Sequence, residues 1–292
     1  MKQTNRQVIP VYRMDAQTPL GMEFSYMEIT DEYDEIMMNS YKNKVHRDEH
    51  YLFLFIDAAE ALMTVDFEEM RLTGNAILYI RPGQVHFVSS MRTAKGWMLA
   101  IDPMLVERDY KNTFEGQFHT QKPIGLDAST SARISETARL LHAARQANQT
   151  TFGNGIILNL ANALIGMIAE QYADSRESLP QHQSRSALIT HQFKKLLSEN
   201  FKTVKSPTQY AKALNYSLSH LNESVKTITG FSVSYWIHRQ VVLEAKRLLC
   251  YTNMDVKEIA FLLGYEDHTY FSRLFSKVAE VSPGTFRRKF RE

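Results

Sequence analysis

Three histidines, one cysteine and a closing run of cations are the residues of this chain whose types could do chemistry. His46 and His50 stand in HRDEH and His86 follows in PGQVH; imidazoles carried on two strands can hold zinc, iron or manganese. HRDEH has no His-x-His pair, however, and neither a metal nor a cofactor is expected. Cys250 could serve group transfer only as an activated thiolate. Beside Leu249 on the apolar side of a helix, it is expected to be buried and inert. The segment HTYFSRLFSKVAEVSPGTFRRKF, residues 268–290, ends on Arg287, Arg288 and Lys289. Its aromatics Tyr270, Phe271, Phe275, Phe286 and Phe290 call for burial, so this is a folded element carrying cations rather than a loose end. An arginine held on such an element, as Arg273 is, can pair with guanine O6 and N7 together.

Charge says where a partner for those cations would act. Residues 1–179 hold 17 Lys and Arg against 23 Asp and Glu, a net −6, whereas residues 180–292 hold 17 against 9, a net +8. An acidic half joined to a basic half points to a polyanion as the partner of the second. The join, YADSRESLPQHQSRS, is polar and broken by Pro180, and reads as a linker over 173–186. A single cysteine allows no internal disulfide, which suits a reducing compartment. No apolar run approaches a membrane span and MKQTNRQVIPVYRMD has no apolar signal region. A cytoplasmic protein with no membrane partner is expected.

The elements that position the basic residues are helices. HQFKKLLSENF sets Phe193, Leu196, Leu197 and Phe201 on one stripe. Ser206 and Pro207 open a short helix, Ser217 caps the next, and Gly230 stops it. The arrangement recurs: Ala211 matches Ala260 and Asn215 matches Gly264, each 49 apart, and Leu221 matches Phe271 and Val225 matches Phe275, each 50 apart. This is an internal repeat of two helix-turn-helix units, with Asn215 and Gly264 at turns where left-handed backbone is least costly for those residue types. Between the copies, Ile237, Val241, Ala245, Leu248 and Leu249 form the stripe of one connecting helix. About 18 residues make a rod of about 27 Å, suited to holding two helices roughly 34 Å apart, one turn of duplex.

The run from SPTQYAKALNYSLSHLNESV through AKRLL and IAFLLGYEDHTYFSRLF to SPGTFRRKF resembles the AraC/XylS-type DNA-binding domain over about its full length, 187–292, with helix-turn-helix repeats near 207–229 and 256–278. The resemblance implies that HTYFSRLFSKV is the second recognition helix, with Phe271 and Phe275 in the core and His268, Thr269 and Arg273 facing the groove. In the first recognition helix it implies Ser219, Asn222 and Glu223; asparagine suits adenine and glutamate can accept from cytosine N4. Arg287 and Arg288 would meet phosphates or lie solvated. Glu280 stands where the family usually has glycine, and Glu223 where several relatives carry a basic or neutral residue.

The acidic half reads as strands and then helices: MEFSYMEIT, YLFLFI, ALMTVDF, AILYI, VHFVSS and WMLAI, followed by SARISETARLLHAARQ and GIILNLANALIGMIAEQYA. RLTGNAILYIRPGQVHF resembles the cupin-like sensor barrel that often precedes this DNA-binding domain. The fold class expected is α+β: a cupin-like β-barrel over 1–129, a helical dimerisation segment over 130–172, the linker, and the all-α domain. A pocket formed by His46, Tyr51, Phe53, Phe55, His86 and Trp97 would suit a small organic effector. The second helix, with Ile156, Leu160, Ala163, Leu164 and Met167 on one face and Ile157, Ala161, Ile165 and Ile168 on another, is apolar over more than one face needs, which suits a homodimer.

The function expected is a sequence-specific transcription regulator that binds double-stranded DNA, answers to an effector, pairs with itself, and meets RNA polymerase if it is an activator. Two enzymes are the alternatives: a cupin-type metal-dependent enzyme with an accessory DNA-binding domain, which needs the histidines to hold metal, and an alkyl-transfer repair protein, which needs a reactive Cys250.

Overall fold

The computed structural model describes residues 9–14, 18–29, 44–115, 121–147, 151–174 and 185–291. They form two compact units, one on residues 10–174 and one on residues 185–291. Of the expected linker, 175–184 lie outside the described residues, and its two ends are helical.

The first unit is a sheet faced by helices. Its strands are β1 (Val11–Tyr12), β2 (Met22–Ile29), β3 (His46–Asp48), β4 (Tyr51–Val65), β5 (Glu68–Thr73), β6 (Ala76–Ile80), β7 (Val85–Ile101) and β8 (Ile124–Gly125). Their order is β1-β3-β7-β4-β6-β8, with β2 also on β7 and β5 also on β4; among the described residues the path does not close into a ring. YLFLFI and ALMTVDF, expected as two strands, are the single β4, and VHFVSS and WMLAI are the single β7. Register shifts between Ile56 and Ala58, Glu60 and Ala61, and Leu62 and Met63 explain this. Each bulge bends the pair and absorbs polar residues without ending it. Gly96 makes the close approach possible: at φ 155° a Cβ there would lie 2.1 Å from the Phe55 carbonyl oxygen.

Alternation gives β4 two buried faces. Tyr51, Phe53 and Phe55 pack against α1 (Arg108–Glu115), α2 (Ala128–Gln146) and α3 (Gly153–Asp174), meeting Phe114, Leu141 and Ile165. Leu52, Leu54 and Ile56 turn the other way, toward Val65, Met70 and Leu78. Helix α2 starts at an Asp127 cap whose carboxylate accepts from the Ser129 and Thr130 amides. Helix α3 is long and apolar enough by composition to cross a membrane, but Ala161, Leu164, Ile165 and Ile168 are buried in the core on the sheet, as in a core helix. Leu164 therefore belongs to this unit's own core and not to an outer dimerisation stripe. Of the five residues assigned to that stripe, Ile156 and Ala163 are exposed, and Met167 is half-buried against the core.

The second unit is all helix: α4 (Arg185–Asn200), α5 (Pro207–Ala213), α6 (Leu218–Thr229), α7 (Val233–Tyr251), α8 (Val256–Leu262), α9 (His268–Ala279) and α10 (Pro283–Arg291). The repeat is visible in the boundaries. α5 and α8 begin 49 residues apart, and α6 and α9 begin 50 apart. Ala211 and Ala260 are buried, as are Leu221, Phe271, Val225 and Phe275. Asn215 and Gly264 sit at φ 59° and 78° in the two turns. α7 packs against α4, α5, α6, α8, α9 and α10, with Ile237, Val241, Ala245, Leu248, Leu249 and Cys250 buried.

Candidate nucleic-acid interface

Helices α6 and α9 lie at equivalent places in the two copies, and each turns one face to the core and one to solvent. On α9, Phe271 and Phe275 are fully buried, while His268, Thr269 and Arg273 are exposed on one side. The helix is started by Asp267, whose carboxylate accepts from the Thr269 amide at 2.7 Å; hydrogen bonds from the Thr269 and Tyr270 amides hold its carboxyl below the usual range. Tyr270 and Phe290 are exposed, against the expectation of burial. Tyr270 lies on the same outward turn as Arg273, so the helical period carries it away from Phe271. On α6, Ser217 caps by accepting from the His220 amide at 3.2 Å, and Ser219 and Glu223 are exposed. Seventeen residues separate Ser206 from Glu223, yet the turn at Asn215 returns the chain so that α5 backs α6.

Residues 210–289 match the family model described as a helix-turn-helix domain. Residues 210–289 are an AraC-type helix-turn-helix domain. Among curated proteins the chain is similar to the uncharacterized HTH-type transcriptional regulator YfiF of Bacillus subtilis, 31% identical over 157 residues, covering 52% of this chain and 48% of the relative. It is also similar to the HTH-type transcriptional activator RhaR of Pectobacterium atrosepticum, 29% identical over 140 residues, 47% and 48% of the two chains. The chain spans about half the length of these relatives. Among solved structures, the C-terminal domain of AraT, a response regulator from Geobacillus stearothermophilus, aligns at 29% identity and a TM-score of 0.34, covering 36% of this chain and 88% of that one.

Two residues assigned to DNA contact have other partners in the AraC-type domain. Asn222 is half-buried and its Oδ1 accepts from the Val233 amide at 3.0 Å, joining α6 to the start of α7. A bidentate adenine contact needs both ends of the amide, and one end is occupied. Arg287 donates from Nε to the Leu249 carbonyl at 3.0 Å and from Nη2 to the Met254 carbonyl. It fastens α10 to the end of α7 rather than facing outward. Arg288 and Lys289 are exposed. Composition gave no sign of the buried Glu244–Arg247 ion pair, 2.9 Å, within α7. The i,i+3 spacing was its one signal, and such pairs are usually solvated.

In the sheet unit, the residues assigned to one effector pocket fall into two groups. Tyr51, Phe53 and Trp97 belong to the helix-facing core. Phe24 stacks on Trp97 with centroids 5.1 Å apart, and burial together with the neighbouring Glu115 raises the Tyr51 phenol well above its ordinary range. His46 and His86 pair across β3 and β7, and His86 also pairs with Val65 of the opposite core. Directly paired residues share a face, so the histidines lie on the other side of the sheet from the aromatics. There Asp48, which sequence reasoning overlooked, is 4% exposed; His46, His50 and His86 each direct Nε2 toward its carboxylate, at 3.8, 3.6 and 3.5 Å.

Proposed function

We propose that the chain is a sequence-specific transcription regulator that inserts α6 and α9 into successive major grooves on one face of double-stranded DNA. The observation that carries this reading is the repeated helix-turn-helix joined by the 19-residue α7, about 28 Å long. That length, with the turns at its ends, suits two recognition helices one duplex turn apart. Ser219 and Glu223 on α6 and His268, Thr269 and Arg273 on α9 are the base-reading candidates, with Arg288 and Lys289 at phosphates. Relatives named as transcriptional regulators and activators favour regulation over either enzyme. Selection from a random duplex library with the full chain tests this: a bound motif of two conserved blocks about one turn apart is expected, and recovery of unenriched sequence would overturn it.

The regulator works in the cytoplasm and acts as a homodimer through the helices of the sheet unit, contacting RNA polymerase if it activates. Support for pairing is the outward side of α3 and the residue before it, where Phe152 is 77% and Ile156 49% exposed. The sheet unit answers to a small effector. Sedimentation of the chain with Ile156→Glu, expected as a monomer beside a dimeric parent, tests the pairing.

A further inference from the structure

We propose that the sheet unit binds a divalent transition-metal ion, zinc(II) or iron(II), between His46 Nε2, His86 Nε2 and a carboxylate oxygen of Asp48. These ligand atoms lie within 4.8 Å of one another. They come from β3 and β7, which the His46–His86 pairing holds side by side, and the rings touch with centroids 4.3 Å apart.

The hydrogen bonds around the cluster set the tautomer of each ring. His46 Nδ1 lies 2.6 Å from the Lys44 carbonyl oxygen and His86 Nδ1 lies 3.2 Å from that of Gln84. A carbonyl only accepts, so each Nδ1 must carry the hydrogen, and each neutral ring then turns a bare Nε2 lone pair inward. Both lone pairs face the Asp48 carboxylate, which also only accepts. Two acceptors opposed in a buried site repel unless a cation lies between them. The separations also differ from hydrogen bonds. At 3.5 and 3.8 Å they exceed the 2.7–2.9 Å of a charge-assisted contact, but they approach the roughly 3.3 Å between neighbouring ligand atoms around a tetrahedral metal with bonds of about 2.0 Å.

A ring N–H given to a backbone carbonyl is the outer support that metal-binding histidines use, and both rings have it. His50 adds a third imidazole, its Nε2 3.6 Å from Asp48 Oδ2 and its Nδ1 buried without a partner. Two or three imidazoles with one carboxylate suit zinc and iron(II) and disfavour magnesium, which prefers oxygen. The site needs only strand pairing, so it stands or falls apart from the DNA-binding reading.

The test uses the full chain, stripped with chelator and dialysed against zinc(II) in air, iron(II) without oxygen, cobalt(II) as a spectroscopic probe, or magnesium. One zinc or iron per chain is expected, with cobalt giving the visible absorption of a low-coordinate site and magnesium leaving nothing bound. Asp48→Asn and His86→Gln should weaken zinc binding at least tenfold, whereas His220→Gln in the other unit should leave it unchanged. If His86→Gln fails to fold by circular dichroism, His46→Ala, at a side chain 21% exposed, carries the same comparison. A parent chain that takes up neither zinc nor iron overturns the proposal, as does equal uptake by the parent and folded Asp48→Asn.

Discussion

Glu223 and Arg273 occupy the same place in two copies of one motif, 50 residues apart, and carry opposite charge. Everything behind them is alike: Leu221 and Phe271, then Val225 and Phe275, fill the same buried positions, and left-handed residues open the turns at Asn215 and Gly264. Backbone demands are common to the copies because the same helix pair must pack on α7, whereas the outward side, exposed among the described residues, is free to diverge. Under the proposed DNA reading the copies would have unequal tasks: Arg273 would attract phosphate and suit guanine, giving the second copy affinity, whereas Glu223 would repel phosphate and contribute selection at some cost in binding.

The largest expected effect is at the turns. A Cβ on Gly264 would lie 2.0 Å from the Lys202 carbonyl oxygen at a φ of 78°, so Gly264→Ala should destabilise the domain by about 3 kcal/mol or more. Asn215→Ala meets only the left-handed penalty, about 1 kcal/mol. Urea denaturation of the two variants measures the difference, and equal losses would show that the turns are not built differently. Next comes Arg273→Ala, which should remove about 1–3 kcal/mol of discrimination at one guanine. A selected motif with unchanged information at every position would remove Arg273 from base reading.

The stops of α6 and α9 give a smaller contrast. Gly230 and Glu280 both adopt left-handed backbone, at φ 78° and 62°, yet only glycine does so freely. Glu280→Gly should stabilise by about 1 kcal/mol and Gly230→Ala, with no atom near its added Cβ, should destabilise by about as much. Thermal unfolding should move in opposite directions for the two. The smallest effect is that of Glu223→Ala, a few-fold gain in affinity with a blurred motif, read by titration at two salt concentrations. Weaker binding with unchanged selectivity would make Glu223 a structural residue and leave the two copies electrostatically alike.

Helix content and the turns were legible in the sequence because each depends on residues within about four positions: apolar stripes at helical spacing, Ser206 and Ser217 before helices, Asn215 and Gly264 after them. The outward placing of Ser219, Glu223, His268, Thr269 and Arg273 is what the resemblance to the AraC/XylS-type domain implies, and all five are exposed. What was missed depends on distant partners. The Asn222 amide is claimed by Val233 and the Arg287 guanidinium by carbonyls at the end of α7, and neither partner can be read from residue type. Strand residues tell less. An alternating pattern names two faces only while the strand runs regularly, and the register shifts along β4 and β7 break it: Phe55 and Val65, an even ten residues apart, fall in opposite cores.

Sequence by itself thus determined the all-helical basic unit and its duplicated motif, since helices are set by local period and capping. Only tertiary structure decided that His46, Asp48 and His86 meet, because β3 and β7 are joined through hydrogen bonds between segments some 40 residues apart, and register between strands is a property of the packed sheet.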